Sequence, residues 1–301
     1  MSHEIEDRVV DLLGKGLRPL PHGAALALGA AIGGLLGDLD PLHVTIAVDN
    51  LRNAFPLWDE SRLFRTARGV YRHFGRVILD ILWMQRRTRS EILSRVEVSG
   101  GEHVEEAMRE GKGAILVTAH IGNWELHGIA HGWLYGPIGV VARPLDNPAL
   151  DARLCAFRTQ GGNSVFYKKQ AITQTMRFLR GGRGVAVLID QNVQLKDGIF
   201  VDYFGRPAAT TTVAAALAIK TGCALIPCNA LLMPSGTYRL FYEPPVRLEP
   251  TGDRNADVAR LTQVLTSHIE GWVRETPEQW LWIHRRWKTQ PEGAGAGTVG
   301  E

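Results

Sequence analysis

The segment Ala114–Ala130 reads AILVTAHIGNWELHGIA and sets a histidine, His120, five residues ahead of a glutamate, Glu125. An imidazole held by a carboxylate has one nitrogen fixed as a donor. The other is then free to take a proton from an alcohol. The apolar run Ala114–Ala119 predicts a strand that ends just before His120, and Gly122-Asn123 predicts a turn that opens a helix. Ligand sites in open α/β sheets gather at the carboxyl ends of strands. Glu125 would lie in the first helical turn, where the helix dipole favours its charge, and a step of this length lets its carboxylate fold back to the imidazole. A histidine and a glutamate at this spacing occur often by chance, so the context matters. No G-x-S-x-G elbow and no phosphate-binding P-loop offers a rival site. His127 and His131 share a helical face, but the intervening glutamate of a zinc protease is missing, and no metal is expected.

Positioning such a pair needs a sheet. Ala114–Ala119, Gly139–Ala142, Ser164–Tyr167, Gly184–Ile189 and Ala224–Pro227 read as strands, with Tyr238–Tyr242 as a late addition. Between them Ala149–Gln160, Gln170–Leu179 and Thr212–Thr221 read as helices, and Asp257–Glu275 follows with Val258, Leu261, Leu265, Ile269 and Trp272 on one face. The alternation predicts an α/β fold, a mixed and largely parallel sheet flanked by helices. The expected division is a helical N-terminal, membrane-associating extension over 1–100, an α/β catalytic core over 101–290 and a Gly-rich disordered tail over 291–301. Asp190, with Gln191 and Asn192, ends the strand GVAVLID at a position right for a site, and Arg143 ends another where it could touch phosphate.

Two features of the extension point to a surface. Residues 20–37 read LPHGAALALGAAIGGLLG and carry no formal charge. A membrane span, an interfacial helix and a buried core helix all fit that composition. The residues ahead of it include Glu4, Glu6, Asp7 and Asp11, the wrong flank for a signal peptide. In the amphipathic helix expected at 60–83, Arg62, Arg65, Arg68, Arg72 and Arg76 fall within about 120° of one another, opposite Phe64, Val70, Tyr71, Phe74, Ile78 and Ile81. Such a stripe is either a solvated face or a contact for something anionic. A second basic cluster, Arg285, Arg286 and Lys288, is interleaved with Trp280, Trp282 and Trp287, which fits a wet–apolar interface or a core tryptophan patch equally. A net charge of +3 gives little support for nucleic-acid binding, and three cysteines suggest no disulfide framework.

With these residues in view, the chain resembles the lipid A biosynthesis (late) acyltransferase family and its relatives, the phosphatidylinositol mannoside acyltransferases. The likeness covers nearly the whole chain: NLRNAFP at 50–56, HIGNWE at 120–125, LIDQN at 188–192, FGRPAATTT at 204–212 and PEQWLWIHRRWKT at 277–289. The resemblance implies transfer of a long-chain fatty acyl group from a carrier thioester, acyl carrier protein or coenzyme A, to a hydroxyl of a glycolipid such as a lipid A precursor. The thioester is a co-substrate and no cofactor is expected. His120 would be the base and Glu125 its orienting partner. Arg158, where the family carries a functional arginine, is the first candidate to steady the oxyanion, and the N–H groups of Gly122 and Asn123 the second. Asp190 would support catalysis or bind acceptor, or else cap or brace the turn. Gly122, Asn123, Trp124, Arg143, Gln191 and Asn192 are the substrate-binding candidates. The expected setting is the cytoplasmic face of the bacterial inner membrane, peripheral or with a single N-terminal anchor. The alternatives are another membrane phospholipid or glycolipid as acceptor, or a non-catalytic lipid-binding protein.

Overall fold

The computed structural model describes residues 3–167 and 171–291. Five helices come first: α1 (His3–Leu17), α2 (His22–Leu39), α3 (Pro41–Ala54), α4 (Glu60–Met84) and α5 (Arg89–Leu93). Then follow β1 (Val96–Ser99), α6 (Gly101–Arg109), β2 (Ala114–Thr118), α7 (Trp124–Tyr135), β3 (Ile138–Ala142), α8 (Pro148–Arg158), β4 (Ser164–Tyr167), α9 (Ala171–Arg180) and β5 (Gly184–Leu188). The chain continues through a hairpin of β6 (Gly198–Tyr203) and β7 (Arg206–Thr211), then α10 (Val213–Thr221), β8 (Ala224–Leu232), β9 (Tyr238–Tyr242) and α11 (Arg254–Glu275). The expected tail at 291–301, apart from Pro291, and the Gln170 start of a helix lie outside the described residues.

The main sheet has the order β1-β9-β8-β2-β5-β3-β4. Strands β2, β3, β4, β5 and β8 are parallel, while β9 runs antiparallel to β8 and carries β1 beside it. Parallel neighbours need crossover helices, and a sheet so covered is apolar on both faces. Strand β2 at its centre is buried at every residue. The fold is therefore α/β with a mixed, largely parallel sheet, as the alternation implies. Two details differ from expectation. A strand, β1, lies within the stretch read as helical. The β6–β7 hairpin was not expected because its turn is Phe204-Gly205, both at positive φ (59° and 72°), and phenylalanine gives none of the Asn-Gly signal such turns usually carry.

The N-terminal helices pack on the same core as the sheet: Val48, Leu51, Leu63, Ala67 and Val70 join one buried cluster with Ile115, Val117, Val185 and Val187. Helix α2 lies against α4 through small residues. A Cβ at Gly33 would overlap the Tyr71 carbonyl oxygen, and one at Gly29 would sit 2.6 Å from that of Gly75. A polar clamp closes the contact: the His22 imidazole bonds Asp80 at 2.8 Å, and Asp80, fully buried, also accepts from the Tyr238 hydroxyl at 2.6 Å. Alanine at Gly33 would gain about 1 kcal/mol of helix propensity but force apart two packed backbones, at about 1–3 kcal/mol or more. Gly33→Ala is thus expected to lower the urea midpoint of unfolding, followed by tryptophan fluorescence; a midpoint at or above that of the wild type would contradict this packing.

The other face of α2 stays open, with Leu28, Leu35, Leu36 and Leu39 exposed. Among the described residues α2 is the one helix long and apolar enough to cross a membrane, with 39% of it buried inside the protein. Of the stripe, Arg62, Arg65, Arg68 and Arg72 are exposed and Arg76 is half-buried. Arg62 stacks on Trp58 and Arg68 meets Asp38 of α2 at 2.8 Å, so one acid is supplied from a neighbouring helix. Phe64 and Ile78, expected on the buried face, lie at its edge and are 49% and 56% exposed. Of the two readings of the tryptophan cluster, the core patch is the one seen: Trp280, Trp282 and Trp287 are all buried. Arg286 is buried with them and donates to the Ala209 carbonyl at 2.7 Å and the Thr210 hydroxyl at 2.5 Å.

Candidate active site

Strands β2 and β5 pair in parallel with Thr118 opposite Leu188. Two residues further, at the carboxyl edge, that register sets His120 beside Asp190. The Asp190 carboxylate takes Nδ1–H of His120 on Oδ1 at 2.9 Å and the His120 backbone N–H on Oδ2 at 2.8 Å. Trp280 donates its indole N–H to Oδ2 at 2.8 Å. Burial would raise the Asp190 carboxyl, but the imidazole charge and these bonds outweigh it and hold it below the ordinary carboxylate range. An ionised carboxylate only accepts, so Nδ1 carries the proton and Nε2 is the basic nitrogen. Burial works against a charged ring at His120, yet Asp190, and then Glu125, raise its pKa above the usual 6.5, with Arg158 opposing. At Nε2 the only hydrogen-bond contact among the described residues is a long one, the Gln191 amide donating at 3.5 Å, which leaves the nitrogen's lone pair largely free. Trp124 sets its ring edge-on to the imidazole, with centroids 5.1 Å apart.

Glu125 is not the hydrogen-bond partner of His120; the structure puts Asp190 in that place. The Glu125 carboxylate instead takes a two-pronged bond from Arg158, Nε to Oε2 at 2.8 Å and Nη2 to Oε1 at 2.5 Å, and a third from the Trp124 indole at 3.1 Å. The reason is directional. Asn123 caps α7 by accepting from Leu126 N–H at 3.0 Å, which starts the helix at Trp124. Glu125 then meets the last turn of α8, where a planar guanidinium matches a carboxylate's two oxygens. Burial would lower the Arg158 pKa, but its bonds to Glu125 more than compensate and raise it.

The remaining candidates divide. The N–H groups of Gly122 and Asn123 are not oxyanion donors: they are spent on the carbonyls of Gln279, at 3.0 Å, and Ala230, at 2.8 Å. Gly122 sits at φ 60° and a Cβ there would strike the Ala230 carbonyl, so glycine is required for this crossing. Asn123 is fully buried and serves as a helix cap rather than a cavity wall. Asn192 braces the C-terminal segment through Thr289, and its backbone N–H donates to His284 Nε2 at 2.9 Å. Trp124, Arg143, Arg158, Gln191 and also Asn192 line the cavity that His120 borders, Arg143 at an exposed position with Asp146 3.8 Å away. Trp280, His284 and Arg286 support the site from the PEQWLWIHRRWKT segment; only tertiary contacts assign them. His127 and His131 are buried beside Tyr135 and Tyr242, with pKa values pushed down by burial to about 4 and about 3, hence neutral.

The cavity encloses about 770 Å³. Its wall is largely aliphatic, with Val140, Ile172, Val187, Ile189, Val213 and Leu217. That is a pocket for an apolar ligand with its reacting end at His120.

Bacterial lipid A biosynthesis acyltransferases match the chain over residues 8–289. The lipid A biosynthesis lauroyltransferase of Escherichia coli (strain K12) is 29% identical over 280 residues, covering 91% of this chain and 88% of that one. The palmitoleoyltransferase of lipid A biosynthesis from the same strain is 26% identical with the same coverage. The phosphatidylinositol mannoside acyltransferase of Mycobacterium tuberculosis (strain ATCC 25618 / H37Rv) is 27% identical over 224 residues, 72% of this chain and 67% of that one. With this match over nearly its whole length, the chain belongs to the bacterial lipid A biosynthesis acyltransferase family and is an O-acyltransferase.

Proposed function

We propose that the enzyme moves a long-chain fatty acyl group from a carrier thioester, acyl carrier protein or coenzyme A, to a hydroxyl of a lipid A precursor. The observation that supports it best is a histidine of fixed tautomer, its Nε2 met by a long Gln191 contact, at the border of a 770 Å³ aliphatic cavity. The acyl chain lies in the cavity and presents its carbonyl to His120. Nε2 takes the proton of the acceptor hydroxyl as its oxygen attacks that carbonyl. The tetrahedral oxyanion is steadied by Arg158, whose Nη1 is not used in the bond to Glu125. Collapse breaks the carbon–sulfur bond, and the imidazolium returns its proton to the leaving thiolate. Asp190 keeps the ring oriented and stabilises its charge. The chemistry needs no further cofactor. The exposed leucines of α2 beside the arginines of α4 fit a peripheral site of action on the cytoplasmic face of the inner membrane.

With acyl-labelled carrier protein and a lipid A precursor, His120→Ala is expected to abolish transfer while the protein stays folded; transfer at the wild-type rate would remove His120 from the mechanism. Chain length gives a separate test. A Cβ at Gly128 in the cavity wall would meet nothing within 4 Å, so the glycine leaves room for the chain. Gly128→Met should shift preference toward shorter acyl donors by about tenfold, since each methylene shut out is worth about 0.8 kcal/mol. An unchanged donor profile would place the chain elsewhere.

A further inference from the structure

A second cavity of about 740 Å³ lies on the other side of the catalytic loop. Its walls are the first turns of α2 (Gly23, Leu26, Ala27), His73 and Arg76 of α4, the β8–β9 connection at 231–236, Arg239 of β9 and the segment 275–279. Sheet order explains its position. His120 follows the end of strand β2, which has β5 on one flank and β8, then β9, on the other, so the aliphatic cavity lies toward β5 and this one toward β9, along one edge of the sheet. The partition between them is the Ile121–Asn123 turn. It is pinned from the second cavity's side by His73, whose Nε2–H donates to the Gly122 carbonyl at 3.2 Å, and by Gln279, whose carbonyl accepts from Gly122 N–H. The Gln279 side chain itself is tied to Leu232 by two bonds of 2.9 Å.

We propose that this second cavity binds the phosphoryl group of an amphiphile, with Arg76 and Arg239 as its cationic ligands. Arg76 and Arg239 are both half-buried, and among the described residues neither has a hydrogen bond or ion pair to a protein group; the Arg239 guanidinium only lies over the Phe241 ring, 5.8 Å from its centre. Arg239 Nε is shut off from solvent with no partner. A partly desolvated guanidinium left unpaired is unfavourable, and a phosphoryl oxygen is the partner whose geometry it fits best. The buried His73 is held neutral, its pKa pushed down by burial to about 4, so the positive charge at this site comes from the arginines. Glu275 and Glu278 also line the cavity, both exposed and neither bonded to these arginines; Glu278 rests on α4 at Gly69. Carboxylates there accept hydroxyls, which suits a phosphorylated sugar better than a bare phosphate ion. The apolar part of the wall comes from Leu26 and Ala27 of α2, which suits the lipid end of an amphiphile next to its headgroup. The ligand's source is either the glycolipid acceptor itself, in which case the inference deepens the function proposed above, or a phospholipid of the bilayer.

Two measurements on the full-length enzyme separate these sources. One is the KM for a phosphorylated lipid A precursor and for the same preparation treated with phosphatase. The other is cosedimentation with vesicles of phosphatidylcholine alone or mixed equally with phosphatidylglycerol. If the acceptor's phosphate is held here, Arg76→Gln and Arg239→Gln each raise the acceptor KM about tenfold. The variants then cease to discriminate against the phosphatase-treated lipid, and Arg76→Lys recovers part of the loss. If a bilayer phospholipid is held, the same variants lose binding to the phosphatidylglycerol vesicles and keep the acceptor KM. Arg109→Gln, an exposed arginine on α6, removes the same charge and is the control for a nonspecific electrostatic effect. The proposal is overturned if Arg76→Gln and Arg239→Gln match Arg109→Gln in both measurements. The vesicle arm does not depend on turnover, so failure of the acyltransfer reading would be seen separately.

Discussion

Replacing Asp190 with asparagine is expected to lower kcat for acyl transfer by about 10⁴-fold, the loss the same change brings to a serine–histidine–aspartate triad. Asparagine keeps the volume and one acceptor oxygen, but its amide can donate to the ring and turn the tautomer, leaving the proton on Nε2 where a lone pair is needed. The pH profile supplies an independent sign. His120 acts as a base only when neutral. Burial lowers its pKa, and Asp190 overrides burial to hold it above 6.5. In the wild type the acid limb of kcat/KM therefore lies above 6.5, and activity falls as pH drops through it. In Asp190→Asn the raising charge is gone while burial remains, so the limb of the residual activity moves downward. The same interaction enters stability with two signs. The raised imidazole contributes stability that is present below 6.5 and lost as pH rises through its folded value. The depressed Asp190 carboxyl contributes stability lost as pH falls through its own. A limb that stayed in place in the variant would mean that Asp190 does not set the basicity of His120.

How far the site was legible in the chain depends on which forces build it. His120 at a strand end followed by a helix start is local information: the apolar run Ala114–Ala119, the glycine and the asparagine cap all act within a few residues. The alternation of strands and helices is local too, and the α/β sheet followed from it. The partner of His120 is not local. Asp190 meets it because β2 and β5 are hydrogen-bonded neighbours in the register Thr118–Leu188, and strand order is set by packing of the whole sheet. Sequence proximity favoured Glu125, which helix geometry turns toward Arg158 instead. The same limit applies to Gly122 and Asn123, whose N–H groups look free until β8 and the 277–289 segment close over them. It applies again to the tryptophans, whose burial depends on the β6–β7 hairpin and α11 rather than on their own spacing. The arginine stripe was legible as a pattern, but Asp38 of α2, which meets Arg68, was not.

Arg158→Met is expected to destabilise the protein by about 3–5 kcal/mol, because it leaves the Glu125 carboxylate, only 7% exposed, without its cation. Adding Glu125→Gln removes that uncompensated charge, so the double variant should recover most of the stability, while Glu125→Gln alone strands the guanidinium and falls between. Thermal or urea unfolding of the three proteins measures the coupling. If the loss in the double variant equalled the sum of the two single losses, the contact of 2.5–2.8 Å would be energetically idle. Kinetics of the refolded double variant then separate structure from chemistry. If Arg158 only steadies the α7–α8 junction, restoring stability restores the rate. If its remaining N–H faces the oxyanion as proposed, kcat stays about 10²–10³-fold low, the usual cost of one lost oxyanion donor. The pH profiles of the single variants should move in opposite directions, since the charges act oppositely on His120: Glu125 raises its pKa and Arg158 lowers it. The acid limb therefore rises in Arg158→Met wherever Glu125 stays ionised, and falls in Glu125→Gln. Matching shifts in one direction would show that the pair acts on the site through its shape and not through its field.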